Sequence, residues 1–80
     1  MSKRYFYFRI RVFINGTYRY YFVRAPKLWC ELIPEHFASV IDEFVYDYFF
    51  THDFEYLGSF SYSDYFMSRY KIDLLNPVNI

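Results

Sequence analysis

The sequence predicts an α+β fold: a small antiparallel sheet with one helix packed on one face, in the order β-β-α-β-β. Three observations predict it. Asn15-Gly16 sits between two runs rich in β-branched and aromatic residues. Apolar residues recur at helical spacing after Pro34. From Phe54 the period returns to two. At 80 residues the chain has the length of a single domain, 1–80.

The first element is a hairpin over residues 4–24. Asn-Gly suits a two-residue type I′ turn, which needs positive φ at both central positions. Such a turn sets the register, so paired residue numbers sum to 31, from Ile14 with Thr17 outward. The period of two then separates two faces. Phe6, Phe8, Ile10, Val12, Ile14, Tyr21 and Val23 form the core face. The other face holds only arginine and aromatic residues: Tyr5, Tyr7, Arg9, Arg11, Phe13, Tyr18, Tyr20, Phe22 and Arg24.

Pro26 disfavours further ladder pairing and closes the hairpin. Leu28 to Ile33 is a connector, with Trp29 as a core anchor. Pro34 suits the first position of a helix, and Glu35 suits its first turn. The helix extends to about residue 50, with Phe37, Ile41, Phe44, Val45 and Tyr48 as its buried stripe. Glu35, Asp42, Glu43 and Asp47 fall on the opposite flanks. Strands are expected at about 54–62 and 66–74. In the first, Phe54, Tyr56, Phe60 and Tyr62 share one face and Gly58 marks a bulge. Ser61 to Asp64 reads as a turn, and a helix over 64–73 competes with the last strand. Asn76 to Ile80 is a tail.

The composition narrows the function classes. There are 11 Tyr, 11 Phe and one Trp, more than one small core can hold, so some must form a surface cluster. Disorder needs the reverse composition. Cys30 is the only cysteine, so no disulfide framework exists; it is expected to be a small buried hydrophobe in a reducing cytoplasm. No apolar run is long enough for a transmembrane helix, so no membrane role is expected.

The formal net charge of +0 hides a partition. Residues 1–27 carry seven basic residues and no acid; residues 28–66 carry eight acids and neither Lys nor Arg. Either the halves fold together and the charges pair, or each half addresses a partner.

Catalytic and cofactor signatures are missing. His36 and His52 are 16 residues apart without metal-ligand spacing, and two glycines cannot build a phosphate loop. No nucleophile elbow is present. No catalytic residue, metal ligand or cofactor is therefore assigned, and no enzyme is expected.

The expected function is a small protein-binding module, acting as an inhibitor by surface occlusion or nucleic-acid mimicry. Two surfaces suit it. One is acidic: Glu35, Asp42, Glu43 and Asp47, an array able to occupy a basic nucleic-acid channel of a host complex. The other is the hairpin face: Tyr7, Arg9, Arg11, Tyr18, Tyr20, Phe22 and Arg24, whose composition is that of interface centres. Single-domain binders of this size and character include phage-encoded anti-CRISPR and other anti-defence proteins, which act in the host cytoplasm. The alternative is direct binding of single-stranded nucleic acid, with bases stacked on the hairpin face; net neutrality disfavours it. A homodimer burying the hairpin face is a third option.

Overall fold

The computed structural model describes residues 5–75; Arg4, the expected start of the hairpin, and the tail at 76–80 lie outside them. Strand β1 spans Tyr5–Ile14 and β2 spans Thr17–Pro26. They pair antiparallel from Ile14↔Thr17 to Tyr5↔Pro26, the register that the turn dictates. Asn15 and Gly16 adopt φ of 51° and 81°. Phe8, Ile10, Val12, Val23 and Ala25 are completely buried on one face. β2 runs two residues past its expected end at Arg24: Pro26 pairs with Tyr5 as the last residue of the strand, where by the period of two its missing N–H would point away from β1 and the ladder loses no bond.

A short 3-10 turn, Lys27–Glu31, leads into helix α1, Pro34–Phe49. Pro34 occupies the first turn, as its fixed φ and missing N–H allow. Ile41, Phe44 and Val45 are buried against β1 and β2, with Phe37 and Tyr48 packed beside them. Trp29 anchors the connector: its ring stacks on Phe8 with centroids 6.0 Å apart. Cys30 departs from expectation and is exposed. It follows Trp29 in a tight turn whose inward position the indole takes.

Strand β3 spans Phe54–Ser59 and pairs antiparallel with β1. Its register shifts between Ile10↔Tyr56 and Arg9↔Gly58, leaving Leu57 unpaired. This is the expected bulge, with Gly58 at φ 109°. The extra residue reverses the facing of the residues after it. Phe54 packs on the core and Tyr56 lies 5.2 Å from Phe37, whereas Phe60 emerges beside Tyr7 and Phe22 on the other face. The single aromatic face expected for 54–62 is therefore divided between the two sides of the sheet.

Residues expected as a turn and the start of a strand form a second helix, α2, Tyr62–Met67. The last strand, β4, is only Lys71–Asp73, much shorter than the expected 66–74. It pairs parallel with β2, not antiparallel. The reason is connectivity. Helix α2 carries the chain back across the sheet, so β4 sets out in the direction of β2 and β3. The result is a four-stranded, mostly antiparallel sheet in the order β3-β1-β2-β4, with α1 as its one main helix.

Candidate interaction surfaces

The hairpin face is two surfaces, not one. At the Pro26 end α2 covers it. Tyr65 from α2 is buried, with its ring 5.4 Å from that of Tyr7. Tyr62 lies 5.8 Å from the same Tyr7 ring. Arg24 forms an ion pair with Asp73 and lies over the Tyr5 ring at 4.5 Å. Its pKa is held above the ordinary arginine value, first by the Asp73 hydrogen bond. Burial raises the phenol pKa of Tyr7 and of Tyr65, and Asp73 adds to the rise at Tyr65.

Toward the turn the face is open. Tyr18 and Tyr20 are 58 % and 48 % exposed. Arg11 lies over the Tyr18 ring at 4.5 Å and forms an ion pair with Glu55 of β3. Its guanidinium pKa is also raised, chiefly by hydrogen bonding with Tyr20 and then by Glu55. Between the two ends, Arg9 and Phe22 form part of a groove of about 490 Å³, bounded by Gly58 and Phe60 on one side and by Asp64 and Met67 on the other. Arg9 is exposed, 5.9 Å from the Phe22 ring.

The seven hairpin-face residues thus fall into three groups. Tyr7 and Arg24 support α2, with Phe22 beside them packed on Phe60. Arg11 is tied to Glu55. Arg9, Tyr18 and Tyr20 remain outward. Two arginines of the basic half are matched by carboxylates of the rest of the chain, so charge pairing across the fold is partly realised.

The acidic surface keeps its charge. At roughly 100° per residue, Ser39, Glu43 and Tyr46 point away from the sheet, with Glu35 and Asp42 on one flank and Asp47 on the other. Glu35, Glu43 and Asp47 are exposed, and Asp42 is partly so. Among the described residues, none of these four acids forms an ion pair with Lys or Arg. Asp42 Oδ1 is 3.2 Å from His52 Nδ1, and the His52 ring stacks on Tyr46 with centroids 4.6 Å apart. Phe50, which ends α1, adopts φ 57° and is 82 % exposed. A left-handed non-glycine residue costs about 1–2 kcal/mol, so an outward phenylalanine is kept here against backbone preference. The alternating pattern of the hairpin gave no sign of Phe50. Its signal was the position: an aromatic where helices commonly place glycine.

Among the described residues no three His, Cys, Asp or Glu side chains come together as metal ligands. Among the described residues no helix is long and apolar enough to cross a membrane. In comparisons with known proteins, no family model, no curated protein and no solved structure matches the chain.

Proposed function

We propose that this protein is a non-enzymatic binding module that occupies a basic, nucleic-acid-binding surface of another protein through the outward face of α1. The observation that carries the proposal is the coincidence of four carboxylates without Lys or Arg partners among the described residues and two exposed aromatics, Tyr46 on the outward face of α1 and Phe50 at its C-terminal end. Carboxylates supply long-range attraction and fast encounter. The aromatics supply the short-range anchors that charge alone lacks. From Glu35 to Asp47 the helix rises roughly 18 Å at 1.5 Å per residue. Four charges over that length are somewhat sparser than one nucleic-acid strand, which carries a phosphate about every 3.4 Å. A protein whose channel accepts a single strand is therefore the best-matched target. Its biological form would be an inhibitor such as a phage-encoded anti-CRISPR or other anti-defence protein, acting in the host cytoplasm.

Direct nucleic-acid binding by the hairpin face is less favoured, because Glu55 and Asp73 neutralise Arg11 and Arg24 and α2 covers Tyr7. The test begins with capture of the partner from cells of the native host and its identification by mass spectrometry. The partner's affinity for nucleic acid is then measured with and without this protein. Displacement of the nucleic acid is expected. The D42A/E43A/D47A variant should bind weakly and with a flatter dependence on salt. A partner that holds nucleic acid equally well in the complex, or a triple variant that binds normally, would reject the proposal. A mobility shift of single-stranded RNA or DNA by this protein alone would favour the hairpin face instead.

A further inference from the structure

We infer that the turn-proximal edge of β2 is a strand-addition site for an extended, acidic peptide segment. The phase of the ladder shows which backbone groups face outward. Phe22 N–H donates to the Tyr70 carbonyl at 2.8 Å, and the Arg24 carbonyl accepts from Leu74 N–H at 2.9 Å. Both groups point away from β1, so by the period of two those of Tyr20 and Tyr18 do as well. β4 pairs only with Phe22, Val23 and Arg24. Among the described residues nothing bonds the outward N–H and C=O of Tyr18 and Tyr20. Four unbonded backbone groups therefore lie in register along Tyr18–Tyr20, up to the point where Tyr70 comes alongside Tyr21, in a ladder without a register shift.

The opposite edge of the sheet is managed differently. There β3 carries the bulge at Leu57–Gly58, a device that bends an edge away from pairing. The β2 edge carries no bulge. Beside it is a hollow of about 380 Å³ lined by Tyr18, Arg19, Tyr20 and Tyr70, where an added strand would lie.

Charge selects the occupant. Arg19 sits between Tyr18 and Tyr20, is exposed, and has no ion pair among the described residues. A second copy pairing antiparallel about a two-fold would use all four open groups only when paired numbers sum to 38, Tyr18 with Tyr20. That register places Arg19 opposite Arg19, and like charges directly opposite oppose pairing. An extended segment with Asp or Glu opposite Arg19 meets the open bonds and the charge together. Strand addition of this kind takes affinity from main-chain bonds and selectivity from the alternate side chains.

The test uses the full chain, labelled with nitrogen-15, and the probe peptide acetyl-Val-Glu-Val-Thr-amide, short enough to stop before Tyr70. Amide resonances of residues 17–21 should shift on titration, and the Tyr18 and Tyr20 amides should gain protection from exchange. Methylating the two valine amide nitrogens should abolish binding, because these N–H groups face the host strand. Lysine in place of the glutamate should weaken binding about threefold to fivefold, the scale of an exposed ion pair. Arg19→Ala should erase that preference while leaving binding in place. Several results would overturn the inference: no shift at millimolar peptide, equal binding of the methylated peptide, shifts confined to other residues, or protection of these amides that grows with protein concentration alone. The last would identify a second copy as the occupant, and the first an edge that Arg19 merely guards.

Discussion

Replacing Tyr65 by alanine would test whether α2 is truly docked on the sheet. Tyr65 is 7 % exposed and is the one buried residue of its helix. Its ring lies against Tyr7 and near both Arg24 and Lys71. A tyrosine buries about 150–250 Å², and at about 25 cal/mol per Å² the full ring represents roughly 4–6 kcal/mol. Alanine keeps a small part of that, so a loss of about 3–5 kcal/mol is expected if the domain unfolds as one unit. A six-residue helix has another option. It can leave the sheet by itself, and the loss in global stability is then capped at the free energy of docking. Urea denaturation of Tyr65→Ala separates the cases when run beside Met67→Ala, whose side chain is 79 % exposed. Met67→Ala should change stability by less than about 0.5 kcal/mol. A lowered midpoint at constant m-value indicates global loss. Early exchange of amides in residues 62–73, with the midpoint little changed, indicates local undocking. Equal, negligible effects of the two variants on both measurements would refute the packing of α2 on the sheet.

Three other outcomes can be checked with the same tools. Phe44→Ala should cost about 3–5 kcal/mol and Asp47→Ala almost nothing, as read from urea midpoints, because Phe44 is buried under α1 while Asp47 is exposed; equal losses would mean that the helical phase is wrong. Gly16→Val should lose more than about 1 kcal/mol through backbone strain alone, since φ is 81° there and no atom lies within 4 Å of an added Cβ; an unchanged melting temperature would contradict the turn geometry. Burial raises the pKa of Tyr7, Tyr56 and Tyr65, so the folded chain holds these protons more tightly than the unfolded chain. Their contribution is intact below the ordinary tyrosine value of about 10 and is lost as pH climbs through the raised values. Thermal melts from pH 9 upward should show this decline, and Tyr65→Phe should reduce it.

The parts of the fold legible in the sequence were those governed by local rules. Asn15-Gly16 fixed every pair from Ile14↔Thr17 to Tyr5↔Pro26, because a two-residue loop leaves the register no freedom. Pro34 and the stripe through Ile41, Phe44 and Val45 placed α1 within a residue of its observed end. The bulge at Gly58 was also readable, but its consequence for Phe60 was not carried through: one unpaired residue sends every later side chain to the opposite face. α2 was legible only as the competing helix over 64–73, displaced toward the C-terminus, because six residues are too few for the i, i+3, i+4 spacing of Tyr62, Tyr65 and Phe66 to outweigh the alternation read from Phe66 onward. The parallel pairing of β4 escaped because its cause lies in the route of the chain and not in Lys71–Asp73 themselves. The same distinction applies to the surfaces. The acids of α1 were placed by helical spacing. That Arg11 and Arg24 would meet Glu55 and Asp73 depended on pairings 44 and 49 residues apart in sequence.

The clip between β2 and β4 also orders events in time. Ile14 and Thr17 close across two residues, and such a hairpin forms in about 1–10 μs. The Arg24–Asp73 contact spans 49 positions and must overcome the entropy of a far longer loop. During synthesis the delay is longer, since at about 5–20 residues per second the ribosome needs several seconds to reach Asp73 after Arg24 has been added. Through that interval Tyr5, Tyr7 and Arg24 have neither Tyr65 nor Asp73 to cover them. The nascent hairpin is then a sheet with a bare aromatic flank, suited to holding by a chaperone and vulnerable to pairing with another nascent chain. Arrival of α2 and β4 ends that exposure, so Tyr65 and Asp73 set the moment at which this flank of the sheet is covered.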